Sequence, residues 1–118
     1  MTWELKYLPE AEKDFDSLSR NQQIIVDKAI KKVKSNPLPQ REGGYGKPLG
    51  HKLGTNLTGY LKVKLRKEGI RIVYKLIRTE SKMLVVVIGM REDDEVYEIA
   101  HSRIKKHALE TLGSNPKV

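Results

Sequence analysis

Four cations and a phenol are spaced so that they could meet on one phosphate. Lys62 and Lys64 lie in a run that alternates apolar and polar residues, Tyr60-Leu61-Lys62-Val63-Lys64-Leu65-Arg66. On a strand, a period of two puts both ammonium groups on one side, roughly 7 Å apart. Arg71 opens the next alternating run, across a short turn at Lys67-Glu68-Gly69, and so can lie beside them on the return strand of a hairpin. Arg91 stands where a long apolar run ends, and Tyr97 follows in the next amphipathic segment. A patch built this way would hold a phosphate through charge-assisted hydrogen bonds.

If the phosphate belongs to RNA, the chemistry has three needs. The 2′-hydroxyl must lose its proton to attack the adjacent phosphorus. The transition state gains negative charge that must be met. The 5′-oxygen leaves more easily when protonated. His or Glu usually supplies the acid and the base, but no His falls in this patch. A lysine can act as the base when neighbouring cations and burial lower its pKa, while arginines stay charged and stabilise the phosphorane. Plainer roles stand beside these. Lys62 and Lys64 could be the wet side of an amphipathic strand. Arg71 could pair with Glu68, Arg91 could cap carbonyls at a strand end, and Tyr74 and Tyr97 could be core aromatics with a polar tip in water.

His51, His101 and His107 lack the mutual spacing of a metal site, so no metal or cofactor is expected. His51, beside Lys52 in a glycine-rich stretch, is the one that a loop could carry to substrate. Ser102 has no nucleophile-elbow glycines around it, and no phosphate loop or dinucleotide fingerprint is present.

The charge of the chain agrees with an anionic partner. The 118 residues carry a formal net charge of +8. Nine Lys/Arg against two acids fall between Asn36 and Lys75, and the rest is close to neutral. A clustered excess makes an electrostatic footprint, whereas a dispersed one mostly aids solubility. Within it, Lys47, His51, Lys52, Arg66 and Lys75 are candidate RNA contacts around the central set. The absence of Cys excludes a disulfide framework and thiolate chemistry. No apolar run approaches the roughly 20 residues of a membrane-spanning helix. The N-terminal stretch lacks the apolar block of a signal peptide. These features predict a cytoplasmic protein with no membrane partner.

The elements that must position these residues read as follows. Trp3 to Leu8 alternates like a half-buried strand. Pro9 starts a short helix with a stripe at Ala11, Phe15 and Leu18. Asn21 is placed to cap a second helix, whose stripe is Ile25, Val26, Ala29, Ile30 and Val33 and which Asn36-Pro37 stops. Pro37 to Gly59 reads as a long irregular stretch, holding six of the nine glycines. A loop of that length in a small domain is usually functional or mobile. Two hairpin strands follow, Tyr60–Arg66 and Ile70–Ile77, and then an apolar strand, Lys82–Met90, covered on both faces. Asp93 or Asp94 is placed to cap a last helix with the stripe Val96, Ala100 and Ile104. The order β-α-α-β-β-β-α predicts an α+β fold: an N-terminal strand, a helical hairpin, an antiparallel sheet of about four strands and a C-terminal helix. Two helices on one face would leave the other free for the basic residues. One domain over residues 1–112 and a flexible tail over 113–118 complete the expectation.

Two segments carry a family resemblance. Leu61-Lys-Val-Lys-Leu-Arg-Lys-Glu-Gly-Ile-Arg-Ile-Val-Tyr74 is a basic strand, a glycine turn and an Arg-x-Val-Tyr strand. Ile88-Gly-Met-Arg-Glu-Asp-Asp-Glu-Val-Tyr97 is similar to a Gly-Lys-Arg-x-x-x-x-Val-Tyr segment, with Met90 where a Lys is common. In this order and spacing they resemble the RelE/ParE superfamily of toxins from type II toxin–antitoxin modules, the RelE branch in particular, over about Trp3 to Ile104. The resemblance implies a ribosome-dependent mRNA endoribonuclease held inactive by a cognate antitoxin. It implies Lys64 as general base and Arg91 as acid or leaving-group stabiliser. Lys62 and Arg71 become transition-state stabilisers, and Tyr97 a stacking platform for a base. It leaves open a ParE-like toxin that binds DNA gyrase without a catalytic set, or a non-catalytic RNA-binding domain. The long glycine-rich loop, and His51 within it, depart from the family pattern.

Overall fold

The computed structural model describes residues 2–52, 55–90 and 92–107. The elements in chain order are β1 (Glu4–Tyr7), α1 (Pro9–Asp16), α2 (Arg20–Ser35), β2 (Lys47–Pro48), β3 (His51–Lys52), β4 (Thr55–Asn56), β5 (Tyr60–Leu65), β6 (Ile70–Ile77), β7 (Lys82–Gly89) and α3 (Asp93–Lys106). The fold is α+β, as expected. The main sheet has five strands in the order β1-β7-β6-β5-β2. All neighbours are antiparallel except β1, which runs parallel to β7. The fifth strand is β2, two residues long, which came from the stretch expected to be irregular. Residues 113–118, the expected tail, lie outside the described residues. No described helix is long and apolar enough to cross a membrane.

The apolar run Met83–Ile88 is buried along its whole length. Its place between β1 and β6, with α1 and α3 packed on it, is the reason. The second helix brings Val26, Ile30 and Val33 to the same core. Its cap differs from the expected Asn21. Ser19 accepts from the Gln22 amide, and the Gln22 side chain accepts in return from the Ser19 amide. This reciprocal box satisfies two helix-start donors. The third helix has Glu92 at its N-cap position, where the Glu92 side chain makes no capping bond, so Asp93 and Asp94, the expected caps, fall inside the helix. The first helix ends at Asp16, which leaves Leu18 in the connection.

A bulge ties β7 to the helices. Val73 pairs with Val87 and Tyr74 with Val85, so Val86 is an extra residue on β7. A bulged residue leaves the ladder and needs other partners. The Val86 carbonyl accepts from Arg103 Nη1 at 3.0 Å. Asp14 takes both ends of the same guanidinium, at 2.6 and 3.1 Å, and accepts the Ile88 amide at 3.0 Å. One carboxylate thereby joins α1, β7 and α3.

The described start of the stretch 37–59, through Gly46, is stitched rather than loose. The Tyr74 hydroxyl donates to the Pro37 carbonyl at 2.7 Å. The amides of Gly44, Tyr45 and Gly46 donate to the carbonyls of Pro39, Asn36 and Leu38. Leu49 and Leu57 are buried. A glycine-rich segment can pack this closely because glycine lets backbone approach backbone and side chain. A Cβ at Gly44 would collide with the Leu38 carbonyl oxygen, and one at Gly46 with the Tyr74 hydroxyl.

Candidate functional site

The sheet register sets the site. Lys47, Lys62, Val73 and Val87 form one cross-strand row, and Lys64, Arg71 and Gly89 form the next. Directly opposed residues project to the same face. Lys62, Lys64 and Arg71 therefore share a face, as their spacing predicts. That face is not free. Val73 and Val87 are buried, and α3 packs on β6 and β7. The cations occupy the strip on β5 and the neighbouring part of β6, where polar ends can still reach water.

Tyr97, on the first turns of α3, closes the inner side of this strip. Lys62 Nζ donates to the Tyr97 hydroxyl at 2.7 Å and lies 5.5 Å from the centre of its ring. Tyr97 is 5% exposed. A ring buried to that degree offers no face to a base, so the stacking platform expected at Tyr97 is corrected to a support under Lys62. The Arg71 guanidinium donates to the Gly69 carbonyl at 3.1 Å, reaching back over the hairpin turn. Gly69 makes that turn with φ of +71°, a region that favours glycine.

On the outer side, a groove of about 370 Å³ is lined by Gln40, Tyr45, Lys47, Lys62, Val63, Lys64 and Arg66. Four of these side chains are cationic, and no carboxylate is among the described lining residues. Such a groove suits a polyanion. It joins two of the expected catalytic residues, Lys62 and Lys64, to two of the expected flanking contacts, Lys47 and Arg66.

Lys75 does not join it. It opens on a separate groove of about 380 Å³, lined among others by Arg41, Thr58, Tyr60 and Arg78. Its ammonium lies 5.0 Å from the Tyr60 ring centre, and burial holds its pKa below the ordinary lysine range. Arg78 in that groove is held by a two-point ion pair with Glu42, at 2.8 and 3.2 Å. His51 and Lys52 are described only as the backbone of β3, paired with β4. Arg91 lies outside the described residues. No group of His, Asp or Glu that could hold a metal occurs among the described residues.

Two groove residues carried no sequence signal. Gln40 sits in a short 3₁₀ turn, and Tyr45 sits between two glycines. Neither belongs to a periodic run, so nothing in the alternation points to them.

No protein-family model matches the chain. Over 108 residues, 89% of the chain and all of the relative, it is 30% identical to a RelE-like toxin protein of Escherichia coli. Over 43 residues, 36% of the chain and 45% of the relative, it is 44% identical to the mRNA interferase toxin RelE of Escherichia coli K12. Among solved structures, a double Arg-to-Ala mutant of Escherichia coli toxin RelE in the free state superposes with a TM-score of 0.69. The identity is 26%, over 88% of the chain and 99% of that structure. The same toxin mutant, solved with a peptide of the antitoxin RelB, gives 0.62 at 25% identity over 85% and 95%.

Proposed function

The chain belongs to the RelE-like toxins of toxin–antitoxin systems, and from that membership we propose that it is an endoribonuclease that cuts mRNA on the ribosome. One observation carries the reading. Lys62, braced on Tyr97 at 2.7 Å, and Lys64, directly across from Arg71, face one way, and both lysines line a groove with no described carboxylate. A relative bearing the name mRNA interferase supports the substrate class.

In this mechanism the scissile phosphate lies over the Lys62–Lys64–Arg71 strip. Lys64 takes the proton of the 2′-hydroxyl, and the 2′-oxygen attacks phosphorus. Lys62 and Arg71 meet the charge that grows on the non-bridging oxygens. The bond from phosphorus to the 5′-oxygen breaks, and that oxygen receives a proton. Arg91, assigned by its place in the family motif, supplies or stabilises that proton. The products are a 2′,3′-cyclic phosphate and a free 5′-hydroxyl. Tyr97 positions Lys62 and touches no reacting atom.

The antitoxin is the second partner. A relative solved with an antitoxin peptide supports one here. An acidic segment, disordered alone and ordered on binding, would complement the groove's four cations and deny them to RNA.

Primer extension on mRNA from programmed ribosomes tests the reading. The wild-type chain should leave discrete cuts. Lys64→Ala and Arg71→Ala should each lower the cleavage rate by about 10²-fold or more, the usual scale for a lost acid–base or charge-stabilising group. Growth arrest that survives both changes with mRNA intact would replace the nuclease with a gyrase-directed or purely binding toxin.

A further inference from the structure

We propose that Tyr45 is the base-stacking residue of the groove, its ring receiving the base of a nucleotide that flanks the phosphate held by Lys62 and Lys64. This rests on reading the groove as an RNA site and adds the residue that holds a base there.

Tyr45 is 46% exposed, whereas Tyr60, Tyr74 and Tyr97 are each 5% exposed or less. A single exposed ring is ordinary on a protein surface. What sets Tyr45 apart is how its backbone is held. The amides of Gly44, Tyr45 and Gly46 are all bonded to carbonyls of residues 36–39. Neither flanking glycine has room for a Cβ. Tyr45 is therefore a side chain presented by a pinned support, not one that swings on a loop. Pre-ordering of this kind lowers the entropy cost of holding a ligand.

The surroundings match a stacked nucleotide. Lys32 Nζ of α2 lies 5.4 Å from the ring centre, so a cation already bears on the ring. The ring lines the same groove as Lys47, Lys62, Lys64 and Arg66. Aromatic rings beside a track of cations are how single strands are held without reading their sequence: the cations take the backbone and the ring takes a base. Tyr97, the other aromatic next to these cations, is buried against Lys62.

The test uses the full chain and a short 2′-O-methyl oligoribonucleotide, which cannot be cut, carrying 2-aminopurine at successive positions. Stacking quenches this fluorophore. Wild type should quench one position strongly. Tyr45→Leu, which keeps apolar bulk but has no ring, should lose that quenching and bind about 5- to 150-fold more weakly, the equivalent of one stacked base. Tyr45→Phe should quench and bind like wild type. If Tyr45→Leu quenches and binds unchanged while Lys62→Ala with Lys64→Ala loses binding, the groove binds RNA and Tyr45 is idle. If the double lysine change also binds unchanged, the RNA reading falls and this proposal with it. A wild-type chain that quenches at no position likewise overturns it.

Discussion

Lys62 is held at its tip by a phenol, and that contact gives Tyr97 two separable parts. The ring fills the junction of α3 and the sheet, and the hydroxyl positions the ammonium. Tyr97→Phe should lower Tm by no more than about 4 °C and cleavage by roughly fivefold, since only an orienting bond of about 1 kcal/mol is lost. Tyr97→Ala should cost about 3 kcal/mol or more, as loss of a buried aromatic does. Thermal melts beside cleavage rates separate the two effects. At this scale the sequence is half legible. A period of two suffices to put Lys62 and Lys64 on one face, and the register bears this out. That Tyr97 turns inward was one of two readings left open, because the choice depends on how α3 crosses strands far away in the chain. That Lys75 belongs to another groove was hidden for a related reason. It shares the face, but the shape of the surface between follows from packing, not from alternation.

The elements are joined by carboxylates of α1. Asp14 and Arg103 have side chains only 20% and 17% exposed, and Asp14 also serves the Ile88 amide at the bulge. Removing one partner strands a nearly buried charge. Asp14→Ala should cost about 2 kcal/mol or more, or roughly 8 °C in Tm for a chain of this size. It should also reduce cleavage, because α3 carries Tyr97. Glu10, one turn earlier, accepts from Lys106 at 2.9 Å and contacts His107 at 3.0 Å. The hydrogen bond from Lys106, foremost, and that from His107 help hold its carboxyl at about 2, below the ordinary 4.5. A depressed carboxylate contributes stability in full above the unfolded value and loses it as pH falls toward the folded one. The Tm difference between wild type and Glu10→Gln should therefore persist above pH 4.5 and close between pH 4.5 and 2. Helices and strands were well marked by their apolar periods. Their ends were not. Ser19 with Gln22 outcompeted Asn21 as a cap because the box bonds two donors at once. The glycine-rich stretch concealed β2, β3 and β4, since two-residue strands have no period to detect and their partners are remote.

The whole molecule carries +8, and its groove gathers four cations along one edge of the sheet. Binding to single-stranded RNA should then weaken steeply with salt. If all four lining cations meet phosphates, the slope of log K against log salt should be about −3. A titration between low and physiological salt checks this, and Lys47→Ala should flatten the slope by about 0.7. The clustered charge was legible from residue counts. Its division between two grooves was not, because Lys75 is separated from Lys62 by the turn of the surface and not by distance along the chain. One feature of the sheet reaches back to the birth of the protein. Glu4–Tyr7 pairs in the sheet with Lys82–Val85, so this strand takes its place in the sheet only once a strand far along the chain has been made. Tyr97, whose hydroxyl accepts from Lys62, is made later still. The Lys62 ammonium therefore takes its place against the Tyr97 hydroxyl only after β1 has its partner strand.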